Sequence, residues 1–297
     1  MTRPKLIWQS KLVLLLVMPA IGANLVLETH WWAANSPALA IWAIGLSVLL
    51  GVVASKLHSA TLSGGATGAA IAASLMFSTA VAPYQPWHTG IVPVLAVLVL
   101  TSLATRVGRA KKESLGLGEK RVGRSASQVA ANLGVSALIS CEVVQEWLID
   151  SGWFAPHGIA PIPVFTPMLA ALCEAAADTV SSEIGQFLGG RPRVITTFRS
   201  VEPGTNGAVS LAGTLAGIAA AGVVATVGTL TLFPGGIELG VVAWAGGVFG
   251  LFFDSLLGAT LERRGWLNND LVNFLSTAGA AGFALGVMAL IPHHGLG

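Results

Sequence analysis

Residues 174–190 read EAAADTVSSEIGQFLGG, and residues 191–210 continue as RPRVITTFRSVEPGTNGAVS. An apolar helix carries acids and hydroxyls toward its end, and a short basic loop rich in Thr and Gly precedes the next apolar run. Asp178, Thr179, Ser181, Ser182 and Glu183 fall at the helix's polar end; Arg191, Arg193, Thr196, Thr197 and Arg199 lie just beyond. Carboxylates offer hard oxygen ligands to a divalent cation, while Arg, hydroxyls and Gly-rich backbone suit phosphates. The stretch predicts a polar site at the end of a lipid-embedded helix.

The rest of the chain supports that setting. Of 297 residues 54% are hydrophobic and 10% are charged, against about 25% charged in a soluble domain. Only helices or closed barrels satisfy their backbone groups in lipid, and apolar runs of roughly 17–25 residues select helices. The expected fold class is all-α: a polytopic integral membrane protein of nine spans, one helical transmembrane domain over 1–297. Residues 1–55 form its N-terminal spans and 56–297 its site-bearing core. The spans fall near 11–27, 36–55, 62–82, 90–106, 127–149, 163–187, 207–231, 238–259 and 271–291. The first, with Arg3, Lys5 and Lys11 before it, resembles a signal peptide but lacks a small-residue cleavage site, so it reads as a span. Cys141 and Cys173 fall inside spans and read as small apolar residues, with no disulfide framework.

Charge placement orients the spans. With the amino terminus in the cytoplasm and the carboxyl terminus outside, all 16 Lys and Arg lie on inner segments, as the positive-inside rule requires. Trp31, Trp32, Tyr84, Trp87, Trp153 and Phe154 then lie on outer connections and read as interfacial anchors. The histidines have no metal-binding spacing. SGGATGAA near residue 63 and AGTLAGIAAAG near 212 read as close-packing faces. Neither is followed by GK[ST], so neither is a P-loop. Nothing in the pattern calls for nucleic acid, and oligomeric state is left open.

Acids inside spans are expensive and carry function more often than not. Glu174 and Asp178, spaced i, i+4, share a helix face that Ser181 and Ser182 continue. Asp254 lies near the inner end of the eighth span, Asn132 just inside the fifth, and Asn269, Asp270 and Asn273 at the start of the ninth. Glu174 is deeper, where a single protonated acid can serve as interhelical glue; Glu142 and Glu146 approach the outer side and read as structural. Asp178, Asp254, Asn132, Asn269, Asp270 and Asn273 all fall toward the cytoplasmic face, where nucleotides are found.

Five segments together resemble the transmembrane protein 19-like family, the domain of unknown function 92 group, which includes phytyl-phosphate kinases. They are EKRVGRSASQVAANLGV at 119–135, ADTVSSEIG at 177–185, RVITTFRSVEPGTNGAVSLAGTLAG at 193–217, GLFFDSLLGATLE at 250–262 and LNNDLVNFLSTAGA at 267–280. A looser likeness is to CTP-dependent polyprenol kinases and phosphatidate cytidylyltransferases. Their Lys-Thr-x-Glu-Gly loop is absent here, and TTFRSVEPGTNG stands in its place.

The family resemblance implies phosphoryl transfer from a nucleoside triphosphate, CTP ahead of ATP, to a prenyl monophosphate. It implies Mg²⁺ held by Asp178 and Asp254, helped by Glu183 and Glu174. Arg193, Thr196, Thr197 and Arg199, with Gly204, Thr205, Asn206, Gly207 and Ser210, would take the triphosphate, assisted by Ser182. Lys120, Arg121 and Arg124 would meet the acceptor phosphate or the nucleotide, and Asn132 and Asn273 would orient ligands. Two other readings stay open: a transporter or flippase of a small anion or lipid phosphate, and a prenol kinase or lipid cytidylyltransferase.

Overall fold

The computed structural model describes residues 6–114, 123–150, 164–188 and 190–290. Among these described residues the nine longer helices are α1 (Ile7–Asn35), α2 (Pro37–Lys56), α3 (Leu62–Ser78), α4 (Ile91–Arg106), α6 (Ala126–Ser140), α8 (Phe165–Leu188), α9 (Leu211–Leu232), α10 (Ile237–Leu257) and α11 (Asn269–Leu290). Helices α5 (Arg109–Ser114) and α7 (Glu142–Asp150) are short, and a π turn, Gly258–Glu262, extends α10. Strands β1 (Arg193–Val194) and β2 (Ala208–Val209) form an antiparallel hairpin, with Arg193 opposite Val209 and Val194 opposite Ala208.

Each expected span overlaps one longer helix. Among the described residues five segments are long and apolar enough to cross a bilayer: α1, α2, α9, α10 through Glu262, and α11. Helices α3 and α4 are apolar but run only 17 and 16 residues. Helix α8 has the length, at 24 residues, and carries Glu174, Asp178 and Glu183.

The fifth span departs from expectation. Instead of one helix over 127–149, α6 stops at Ser140, Cys141 turns to extended backbone, and α7 begins at Glu142. One side chain takes up the carbonyls freed at the break: Gln145 Nε2 donates to Ser140 O at 2.9 Å and Ile139 O at 3.2 Å. The Ala137 carbonyl keeps its bond from Cys141 N at 3.0 Å and also accepts from Ser140 Oγ at 3.1 Å. At 15 residues, α6 rises about 22 Å, short of a hydrocarbon core of about 30 Å.

The bundle is built around α8. From Thr166 to Ala177 every residue is buried, as expected of a helix that is apolar all round. Helices α4, α6, α9, α10 and α11 pack against it. Two partners approach it through glycine. A Cβ at Gly217 of α9 would stand 2.7 Å from the Ala177 carbonyl oxygen, and one at Gly250 of α10 would stand 2.4 Å from Glu174 Cγ. The SGGATGAA face also packs closely, since a Cβ at Gly65 would meet Gly51 O of α2 at 2.6 Å.

Candidate active site

Five helices bring their polar ends to one end of the bundle: the carboxyl ends of α8 and α10 and the amino ends of α6, α9 and α11. Between them lies a cavity of about 330 Å³. Asp178, Thr179, Ser181, Ser182 and Glu183 line it from α8; Arg124, Gln128 and Asn132 from the start of α6; Asp254 and Ser255 from α10; Glu262 from the π turn; Asn269 and Asn273 from α11. The loop Pro203–Ser210 closes another side.

Local chemistry fixes each wall. Ser125 and Gln128 form a capping box: Gln128 N donates to Ser125 Oγ at 3.3 Å and Ser125 N donates to Gln128 Oε1 at 2.8 Å. That sets the first turn of α6 and hence the residue before it, Arg124. Backbone bonds from Thr61 N to Arg124 O (2.9 Å) and from Arg124 N to Ser59 O (3.1 Å) tie Arg124 to the α2–α3 link. Its guanidinium donates to Thr101 Oγ1 at 3.1 Å and acts electrostatically on Asp178. Ser210 caps α9, accepting from Gly213 N at 3.2 Å, and Asn268 caps α11, accepting from Leu271 N at 2.9 Å. The loop must hug the π turn: Gly207 has φ +70°, and a Cβ there would stand 2.1 Å from Ala259 N.

Acids dominate the floor. Asp178, Asp254 and Glu262 share the cavity and act on one another electrostatically. Asp254 Oδ2 is buried without a hydrogen-bond partner. Glu174 lies behind the cavity, 1% exposed, with both carboxyl oxygens unpartnered. Glu183 is committed to Lys112 in a buried ion pair, and Lys112 also donates to the carbonyls of Ala104 (3.3 Å) and Thr105 (2.9 Å). Like-charged acids beside an unpartnered buried oxygen call for protons or a cation. Among the described residues no group of three or more His, Cys, Asp or Glu is arranged to hold a metal. Two carboxylates still fit Mg²⁺, which takes one or two from protein and completes its shell with water and substrate phosphates.

Most of the expected residues come together here. Arg124, Asn132, Asp178, Ser182, Glu183, Gly204, Thr205, Asn206, Gly207, Ser210, Asp254 and Asn273 all line the cavity. Asn273 Nδ2 donates to Asn132 Oδ1 at 3.4 Å, so the two amides partly satisfy each other. Arg193, Thr196, Thr197 and Arg199 are exposed and do not line it. The hairpin separates the two halves of the loop: Val194 N bonds to Arg199 O at 3.0 Å and Phe198 turns through φ +53°, leaving the VITTFR tip outside the cavity. Lys120 and Arg121 lie outside the described residues. Glu174 is buried and does not line the cavity, and Glu183, which does, is paired with Lys112.

Sequence reasoning missed Lys112, Gln128, Ser255 and Glu262. Asp254, Gly258 and Glu262 recur every four residues, and that spacing was the available signal for Glu262. Nothing local singles out Lys112 from the basic run around it.

Fold and cavity define a helical membrane protein with an acidic, Arg-bearing site at one end of its bundle. The family model for integral membrane protein DUF92 matches residues 45–281. The chain belongs to that family. Similar proteins include a membrane protein of Methanocaldococcus jannaschii, 35% identical over 62% of this chain and 70% of its own. Two from Arabidopsis thaliana are each 31% identical: the chloroplastic protein VTE6, over 83% of this chain and 68% of its own, and the protein PGR, over 76% and 80%. No solved structure matches.

Proposed function

We propose that the protein is a membrane-embedded isoprenoid-phosphate kinase. It transfers the terminal phosphoryl group of a nucleoside triphosphate, CTP in the first instance, to a prenyl monophosphate such as phytyl or geranylgeranyl phosphate. The observation that carries this reading is the placing of Asp178 and Asp254, with Arg124, on one cavity. A phosphate monoester has a second pKa of about 6, so the acceptor is largely a dianion at neutral pH and needs no histidine base. An acceptor oxygen forms a new bond to the terminal phosphorus, and the bond from that phosphorus to the bridging oxygen breaks. The products are a prenyl diphosphate and a nucleoside diphosphate.

The barrier is repulsion between two polyanions, so alignment and neutralisation are what the protein must supply. Asp178 and Asp254 would hold Mg²⁺, which when bound draws the phosphate oxygens together and offsets their charge. Arg124 meets the acceptor phosphate. The Pro203–Ser210 loop and the amino ends of α9 and α11 present N–H groups toward the donor's phosphates. Lys120 and Arg121, which precede Arg124 in the sequence, would add positive charge for the same phosphates. Nine crossings with the amino terminus inside would face the cavity to the cytoplasm, a reading supported by the placement of all 16 Lys and Arg.

Purified protein incubated with Mg²⁺, each nucleoside triphosphate in turn and geranylgeranyl monophosphate tests this. Mass analysis should find the prenyl diphosphate and a nucleoside diphosphate, with CTP the best donor. Release of pyrophosphate would make the protein a cytidylyltransferase, and no product with any donor would remove the kinase reading.

A further inference from the structure

An apolar cavity of about 70 Å³ adjoins the polar one. Helices α2, α3, α4, α6 and α8 supply its walls, with Leu50, Gly68, Val97, Leu98, Leu133 and Ala175 among the lining residues. Arg124, Asn132 and Thr179 line both cavities. One guanidinium therefore stands where a compartment of acids and amides meets one of hydrocarbon. A ligand bridging the two carries an anionic head and an apolar chain. A nucleotide does not fit the second compartment, because its base and sugar would lose hydrogen bonds against that wall.

We propose that this apolar cavity is the acceptor's subsite: its phosphate lies at Arg124 and the first part of its hydrocarbon chain lies among α2, α3, α4, α6 and α8. The proposal rests on the kinase reading of the polar cavity and names where its lipid enters. Gly68 then governs acceptor choice. Of the glycines on this wall, Gly64 and Gly65 cannot take a side chain, since a Cβ would stand 2.2 Å from Arg124 O or from Ser55 Oγ. A Cβ at Gly68 meets only Val129 Cγ1, at an ordinary 3.6 Å. A larger side chain there is accommodated by the helix and occupies the cavity.

The test compares wild type, Gly68→Ala and Gly68→Leu on geranylgeranyl and dimethylallyl monophosphate. In parallel, wild type is photolabelled with a geranylgeranyl phosphate bearing a diazirine in its first isoprene unit. Gly68→Leu should shift the ratio of kcat/KM toward the short acceptor about tenfold or more, on the scale by which apolar pockets discriminate. Gly68→Ala should shift it less, and the label should fall on α2, α3, α4, α6 or α8. An unchanged ratio in folded Gly68→Leu, or labelling confined to other helices, overturns the proposal. If Gly68→Leu does not fold, the label position alone decides. Wild type that binds label among these helices yet phosphorylates nothing would sink the kinase reading and leave the lipid subsite standing.

Discussion

Asp178 and Asp254 stand on different helices, 76 residues apart in the chain, and share one cavity wall. If both hold the cation, replacing either by Asn removes a charge that the phosphates need and leaves the packing almost unaltered. Asp178→Asn and Asp254→Asn should each lower kcat by about a hundredfold or more, the scale for losing one preorganised electrostatic group. Asp254→Asn should leave the thermal midpoint in detergent unchanged or higher, since Oδ2 has no partner to lose. Arg124→Gln should raise KM for the acceptor more than it lowers kcat, if its charge serves binding. The Lys112–Glu183 pair belongs to stability instead. Lys112→Met strands a mostly buried carboxylate and should cost about 3 kcal/mol, with Glu183→Gln in the same chain recovering part of it. Thermal unfolding of wild type and these two variants checks that ordering.

At the scale of elements, the start of α6 couples fold to site. Its capping box fixes the turn that presents Arg124. Ser125→Ala should cost about 1 kcal/mol of stability and raise the acceptor KM in step, whereas a cap uncoupled from the site would move only the thermal midpoint. How much of this was legible follows from what each signal rests on. Apolar runs as long as a bilayer is thick announce their own helices, and acids within them stand out, so Asp178 and Asp254 could be chosen from sequence. The break at Cys141 could not. There Gln145 reaches back to the freed carbonyls of Ile139 and Ser140, and hydropathy does not register that. The short hairpin was equally hidden. Arg193, Thr196, Thr197 and Arg199 have the right chemistry for phosphate, and two-residue strands leave no periodicity to reveal that they sit outside the cavity. Lys112 and Glu183 are joined only by tertiary packing.

For the whole molecule, the gathering of polar helix ends at one end of the bundle is what separates an enzyme reading from a transport one. A transporter places its site near the middle of the membrane and alternates access to it. Here the cavity is built from helix termini and their links. The proposed cytoplasmic orientation rests on charge placement and makes its own prediction. A Cys at Thr197, exposed on the hairpin tip, should react with an impermeant thiol reagent only in inverted membrane vesicles. Labelling from the outer side would reverse the topology. A flippase would move labelled prenyl phosphate across sealed vesicles without a nucleotide product, and the kinase account predicts no such movement.

The central claim is that Asp178 and Asp254 act together on phosphates in one pocket. Its most direct measurement is prenyl diphosphate formation by wild type, Asp178→Asn and Asp254→Asn, side by side with Mg²⁺ and CTP and with folding verified in each. The account predicts matched yields of prenyl diphosphate and nucleoside diphosphate from wild type and almost none from either variant. Wild-type turnover in either folded variant would contradict it.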